Sequence, residues 1–310
     1  MSATFSDMRA TPVSRRAVVR RERWERRLPL LPALVFVIAL TQLPFALTLW
    51  FSLHRWNLLA TASPRFIGLR NFVFAFQDAT FLGTILHTLV MTVSIVVGSL
   101  VVGSLMALGL NRPFPGRSLI RTLAVTPFFL MPVAAALFWK TALYNPSFGV
   151  LGAITGALGL GRIDWLSGHP VLSVILISAW QWASFVLMIV LAGLQSFPEE
   201  VEEAAAMDGA SRFRIALHLV LPHLRPFLEL SALLVAMYVL ENVAVIALLT
   251  GGGPAYATTN LSYYVYLQAF SAFNMGHASA YGMVALIVAI ALVTPLLRLV
   301  AGILREGGRA

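Results

Sequence analysis

A chain of 310 residues that is 59% hydrophobic and 11% charged carries too little charge for a soluble domain, where the charged share is about 25%. Its mean hydropathy of +0.83 fits a polytopic membrane protein. The formal charge of +9 would suit nucleic acid in a soluble protein, but the basic residues here flank apolar spans, where they set orientation and meet anionic lipid, so no nucleic-acid partner is expected. Absence of cysteine excludes disulfides and thiolate chemistry.

Residues 1–27 concentrate arginine (Arg9, Arg15, Arg16, Arg20, Arg21, Arg23, Arg26, Arg27) and read as a basic cytoplasmic arm. A signal peptide is the competing reading. The charge-free run 28–53 is longer than the roughly 7 to 15 residues of a signal core and no small-residue cleavage site follows, so it is read as the first membrane helix. Five more spans follow at about 84–110, 119–143, 171–194, 226–249 and 278–303, each judged against the roughly 20 residues that cross a bilayer. Arg121 and Lys140 sit near the ends of span three, where they can snorkel, and Glu241 alone lies deep inside a span.

With the amino terminus inside, only Arg55, Arg65, Arg70, Lys140 and Arg162 fall on the outer side. The positive-inside rule therefore places both termini and the 196–226 loop in the cytoplasm. No period of 20 to 50 residues repeats, so one six-helix domain is expected over 28–304, with a short cytoplasmic tail at 305–310. The outer connections 50–72 and 144–170 hold Trp56, Phe66, Phe72, Tyr144, Phe148 and Trp165. These suit either an aromatic belt at headgroup level or a docking surface for a partner.

The 196–226 loop is an acidic island in this apolar chain. Ser196 and Glu199 have capping-box spacing, Pro198 fits a first helical turn, and Glu199, Glu200, Glu202 and Glu203 lie near the positive end of the helix dipole. Ala204, Ala205 and Ala206 propagate the helix, and Asp208 with Gly209 supplies a stop and turn. Ser211 then caps a second short helix, with Phe213, Leu217 and Val220 on its apolar face, until Pro222 ends the pattern. An acidic helix with a small-residue face suits insertion into a groove of another protein; a solvated loop joining two spans is the alternative.

The segment EAAAMDGASRFRIALHLVLP, from Glu203 to Pro222, resembles the cytoplasmic signature E-A-A-x(3)-G-x(9)-I-x-L-P of bacterial ABC importer permeases, with Leu219 at the isoleucine position. NPSFGVLG from Asn145, IDWL from Ile163, LAGLQSFPEE from Leu191, LTGGGP from Leu249 and YYVYLQAF from Tyr263 extend the likeness to the carbohydrate-importer subgroup, similar to maltose and glycerol-phosphate permeases. The resemblance implies an all-α, multi-pass type I permease fold in a bacterial inner membrane, with a coupling helix between spans four and five. It implies ATPase contacts at Glu203, Ala204, Ala205, Asp208, Gly209 and Ala210, braced by the second helix, Leu221 and Pro222. It further implies a second permease, an ATPase dimer and an extracytoplasmic solute-binding protein as partners. The chain itself would catalyse nothing and bind no cofactor; ATP and Mg would sit on the ATPase subunits.

A transport path needs polar groups at membrane depth. Tyr238, Glu241 and Asn242 fall at i, i+3 and i+4, and Gln181 and Phe185 at i and i+4 between Trp180 and Trp182. Tyr238 and Asn242 also align with a span that contributes substrate contacts in the maltose-type relatives. Aromatic faces with amide and carboxylate groups suit a sugar or polyol, a disaccharide such as trehalose or maltose or a polyol such as sorbitol. The alternative is that these groups join helices to one another by hydrogen bonds. An ion-coupled secondary sugar carrier is the competing function; it lacks support from inverted repeats or paired helix breaks. For a membrane enzyme no nucleophile, base and acid can be named, and His218 and His223 miss the i, i+4 spacing of metal ligands.

Overall fold

A lipid bilayer offers no hydrogen-bond partners, so long apolar runs satisfy their backbone internally as helices. The computed structural model describes residues 31–61, 63–159 and 161–307 and contains five helices long and apolar enough to cross a membrane, or six when one bent pair counts as a single span. The arginine-rich arm at 1–27 and the end of the 305–310 tail lie outside the described residues. The chain divides after Trp50. Its first unit contributes most of α1 (Leu31–Ser52), 22 residues of helix that are apolar on all sides and largely exposed.

The second unit begins with a short antiparallel ribbon, β1 (His54–Arg55) against β2 (Arg65–Phe66), followed by α2 (Arg70–Gln77). Buried Asn71 donates to the Ser52 and His54 carbonyls at 2.8 and 2.9 Å, which fixes the entry into α2. Asp78 then caps α3 (Ala79–Asn111) by accepting from the Thr80 and Phe81 amides. Its other carboxylate oxygen accepts from the Tyr264 and Tyr281 hydroxyls at 2.6 and 2.9 Å, a tie between segments nearly 200 residues apart in sequence.

Span three departs from the continuous helix expected over 119–143. It consists of α4 (Arg117–Phe129) and α5 (Pro132–Phe138), the latter running into a π-helical turn at Trp139–Leu143, and the two halves are bent by 106°. Pro132 explains the break: it lacks an N–H, and its ring forces the preceding Met131 into an extended conformation, with φ −57° and ψ 137°. The outer connection adds α6 (Val150–Ala157) and α7 (Trp165–Gly168). Within it Tyr144 is fully buried and donates to the Ser173 carbonyl at 3.0 Å, so it is a packing residue, while Phe148 is exposed.

Helix α8 (Pro170–Gln195) is the centre of the second unit. Gly98, Ser99 and Gly103 of α3 face Ala179 and Ala183, and a Cβ on Gly103 would lie 2.6 Å from the Ala183 carbonyl oxygen, so only glycine permits this approach. Ile177, Val186, Leu187 and Val190 of α8 form the main core. After α8 come α9 (Glu199–Met207), α10 (Arg212–Ile215), a π-helical turn at Ala216–Val220 and α11 (Leu221–Leu240). Residues Arg212–Leu240 thus form one helical span. Pro222 does not end the helix as the sequence suggested. The Leu221 N–H reaches back five residues to the Ala216 carbonyl, and the wider turn relieves the clash between the proline ring and the carbonyl four residues back.

Span five starts earlier than the expected 226 and stops at Leu240; α12 (Ala244–Leu249) resumes after a break at Glu241, Asn242 and Val243. The chain closes with α13 (Leu261–Tyr266), a π-helical turn at Leu267–Ser271 and α14 (Met275–Gly307). A second core, formed by Ala75, Phe81, Leu261, Tyr264 and Tyr281, surrounds the Asp78 tie.

Candidate functional site: a cavity at two broken spans and an acidic loop

Spans three and five are both interrupted. Their second halves, α5 and α12, pack together, and Lys140 Nζ donates to the Leu248 carbonyl at 2.8 Å. Beside the breaks lies a cavity of about 520 Å³, walled by Phe128, Leu130, Gln181, Trp182, Tyr238, Glu241 and Asn242, among others. The sequence-predicted residues Gln181, Tyr238, Glu241 and Asn242 therefore meet in one place. Phe185 does not line it; its ring packs behind the wall, 5.1 Å from Phe128 and edge-on to Trp182 at 5.7 Å.

The four are not equivalent. Buried Gln181 donates through Nε2 to the Leu130 carbonyl at 2.7 Å, so its amide satisfies an acceptor exposed by the break in span three. Asn242 Oδ1 accepts from the Val245 amide at 3.2 Å, and its own carbonyl accepts from Asn260 Nδ2 at 3.2 Å. The Gln181 amide thus links two spans, whereas the Asn242 side chain makes a local bond at the start of α12. Tyr238 is 57% exposed and stacks on Trp182, with ring centroids 5.1 Å apart and planes inclined by 24°. Glu241 does not sit within a helix. It ends α11 with φ −90° and ψ −1°, and its exposed carboxylate makes no hydrogen bond or ion pair among the described residues. The near-helical backbone at Glu241 is why Tyr238, Glu241 and Asn242 still share a wall after the regular helix has stopped.

Sequence reasoning treated Trp182 only as a flanking residue and missed Phe128 and the Leu130 carbonyl. The signal for the latter two was present in Pro127 and Pro132, which bracket the break.

The 196–226 loop folds largely as its residues suggest, with differences at Ser196 and Pro198. Ser196 does not form a capping box with Glu199. Its hydroxyl serves the end of α8, donating to the Gly193 carbonyl at 2.9 Å, and lies 3.1 Å from His223 Nε2. Pro198 occupies the cap position of α9 without a side-chain hydrogen bond, and Glu199, Glu200 and Glu202 supply first-turn negative charge. Gly209 takes φ +80°, and the Ala210 amide closes on the Ala205 carbonyl at 3.0 Å. Ser211 Oγ caps α10 by accepting from the Arg214 amide at 3.3 Å.

No residue of α9 is buried against the rest of the chain. Glu203, Ala204, Asp208 and Gly209 are exposed, Ala205 and Ala210 are half-buried, and Leu221 and Pro222 are exposed at the start of α11. Met207 and Phe213, at 83% and 77% exposure, flank the glycine turn.

Residues 99–307 match the family described as binding-protein-dependent transport system inner membrane component. The chain is 34% identical over 269 residues to the probable ABC transporter permease protein y4oQ of Sinorhizobium fredii, covering 86% of this chain and 87% of that protein. It is 33% identical over 252 residues to the trehalose/maltose transport system permease protein MalF of Thermococcus litoralis, covering 80% and 83%. A crystal structure of a bacterial ABC transporter that imports the acidic polysaccharide alginate superposes with a TM-score of 0.75 at 23% identity, over 94% of this chain and 99% of that one, which establishes the shared fold. The relatives are named as transport permeases, a non-enzymatic role. With the matched family region taking in Gly103, both broken spans and the exposed loop, the chain belongs to the inner-membrane permease family of binding-protein-dependent ABC transporters.

Proposed function

We propose that this chain forms half of the membrane pathway of an ATP-driven importer for a sugar or polyol. The observation that carries this reading is the cavity at the two breaks, where Trp182 stacks on Tyr238 beside the free carboxylate of Glu241. Ring faces take up the C–H surfaces of a sugar, and a phenol and a carboxylate take its hydroxyls. Similarity to the trehalose/maltose permease of Thermococcus litoralis supports a disaccharide such as trehalose or maltose, and a polyol such as sorbitol uses the same chemistry.

Helix α9 and the Gly209 turn dock in a cleft of a cytoplasmic ATPase dimer, which holds ATP and Mg. Glu203, Ala204, Ala205, Asp208, Gly209 and Ala210 form the contact, the alanines allowing close approach. Leu221 and Pro222 brace it from the start of α11. Residues Arg212–Leu240 connect this contact to the cavity through 29 continuous helical residues, roughly 43 Å of helix. Displacement of the loop is thereby delivered at Tyr238 and Glu241. A second permease completes the pathway, and an extracytoplasmic solute-binding protein delivers the cargo. Both termini lie in the cytoplasm.

The test is import by vesicles containing the complete complex. Tyr238→Ala is expected to lower sugar uptake about tenfold or more, the equivalent of about 1.4 kcal/mol. Uptake at the unmodified rate would refute the site.

A further inference from the structure

Glu241 occupies a position that helix stability does not explain. A carboxylate at a helix C-terminus meets the negative end of the dipole, where a cation would be favoured. Ionisable groups at membrane depth are costly and mark functional sites unless paired. Glu241 has neither compensation: among the described residues no hydrogen bond or ion pair engages it. It borders the 520 Å³ cavity on one side of α11 and a second, mainly apolar cavity of about 500 Å³ between α11, α13 and α14 on the other.

The rest of the wall does not neutralise it. Among the described residues no basic side chain lines the first cavity. The uncharged Gln181 and Asn242 side chains add no positive charge, and Gln181 Nε2 is committed to the Leu130 carbonyl. Lys140 is bound to the Leu248 carbonyl and is not part of the lining. The contribution of this chain to the cavity is therefore a single uncompensated negative charge beside an aromatic pair.

We infer that Glu241 selects cargo by charge, admitting uncharged polyhydroxy compounds and rejecting anionic ones such as sugar phosphates and sugar acids. The inference rests on the proposed function and narrows it from sugars and polyols in general to the neutral members of that class. A negative cargo beside Glu241 meets like-charge repulsion, which dissolved salt screens. A neutral cargo of the same shape meets a hydrogen-bond acceptor instead.

The test is equilibrium binding to the purified complex of both permeases and the ATPase, without the solute-binding protein, so that its own selectivity does not intervene. The probes are the matched pairs trehalose with trehalose 6-phosphate and sorbitol with sorbitol 6-phosphate. The unmodified complex should prefer the neutral member of at least one pair by about tenfold or more, and the preference should shrink as salt rises. Glu241→Gln should reduce that ratio about tenfold, and Glu241→Lys should reverse it. Equal binding of both members, a preference indifferent to salt, or a ratio unmoved by Glu241→Gln would overturn the inference and leave the sugar pathway standing. Failure of both neutral probes to bind any form of the complex would overturn the sugar reading and this inference with it.

Discussion

Gly209 offers the sharpest separation between backbone geometry and side-chain volume. Its φ of +80° lies in the left-handed region, and no atom stands within 4 Å of where a Cβ would be placed. A side chain would therefore be strained by its own backbone and not by its neighbours. The left-handed conformation costs a typical L-residue roughly 1 to 2 kcal/mol, less for asparagine and more for a β-branched residue. One to two kcal/mol is about a 5- to 30-fold loss in the population of the native turn. Gly209→Val should accordingly uncouple the complex, with cargo transported per ATP hydrolysed falling about tenfold, while Gly209→Asn should stay within a few-fold of the unmodified protein. The assay is simultaneous measurement of uptake and phosphate release in reconstituted vesicles. Equal damage by both substitutions would mean that bulk at the docking surface matters and the backbone argument is wrong, and full coupling in Gly209→Val would refute the role of the turn altogether.

Two further outcomes follow from the packing. Gly103→Ala sets a Cβ 2.6 Å from the Ala183 carbonyl and 2.7 Å from Val186 Cβ, so α3 and α8 must separate, at a cost of about 1 to 3 kcal/mol; an unchanged unfolding temperature in detergent would contradict the close seam. At Asp78, burial raises the carboxyl pKa, but hydrogen bonds from Tyr264, Tyr281 and the Phe81 and Thr80 amides outweigh it and hold the group below its usual 3.8. A depressed acid stabilises the fold fully above its unfolded value and loses that contribution as pH falls through the folded one, so the loss lies below pH 3.8. Melting temperature measured between about pH 5 and about pH 2 should drop more steeply for the unmodified protein than for Asp78→Asn, and parallel curves would show that the carboxylate tie contributes nothing.

Hydropathy located the spans well because a charge-free run has few alternatives to helix in a bilayer, but it did not reveal their continuity. The break at Leu130 and Met131 lies among wholly apolar residues, and only the bracketing Pro127 and Pro132 signal it. Glu241 was legible as an exception to apolarity, yet its place at a helix end depends on the helix stopping at Leu240 and resuming only at Ala244. Local chemistry did better where it was self-contained: the acidic first turn of α9, the Gly209 turn and the Ser211 cap all involve residues within a few positions of one another. Ser196 was misread for the opposite reason, since its hydroxyl serves the end of α8 and lies beside His223, 27 residues away. The Trp182–Tyr238 stack and the Asp78 tie have no local signature at all, because both are made by elements far apart in the chain.

The central claim is that this chain works only as part of an ATP-driven assembly, and isolation of the tagged chain from its native membrane tests it most directly. The account predicts recovery of an ATPase subunit and a second permease in fixed proportion, with ATP hydrolysis that rises when a solute-binding protein and its sugar are added together. Recovery of the chain alone, supporting sugar uptake driven by an ion gradient without ATP, would contradict it.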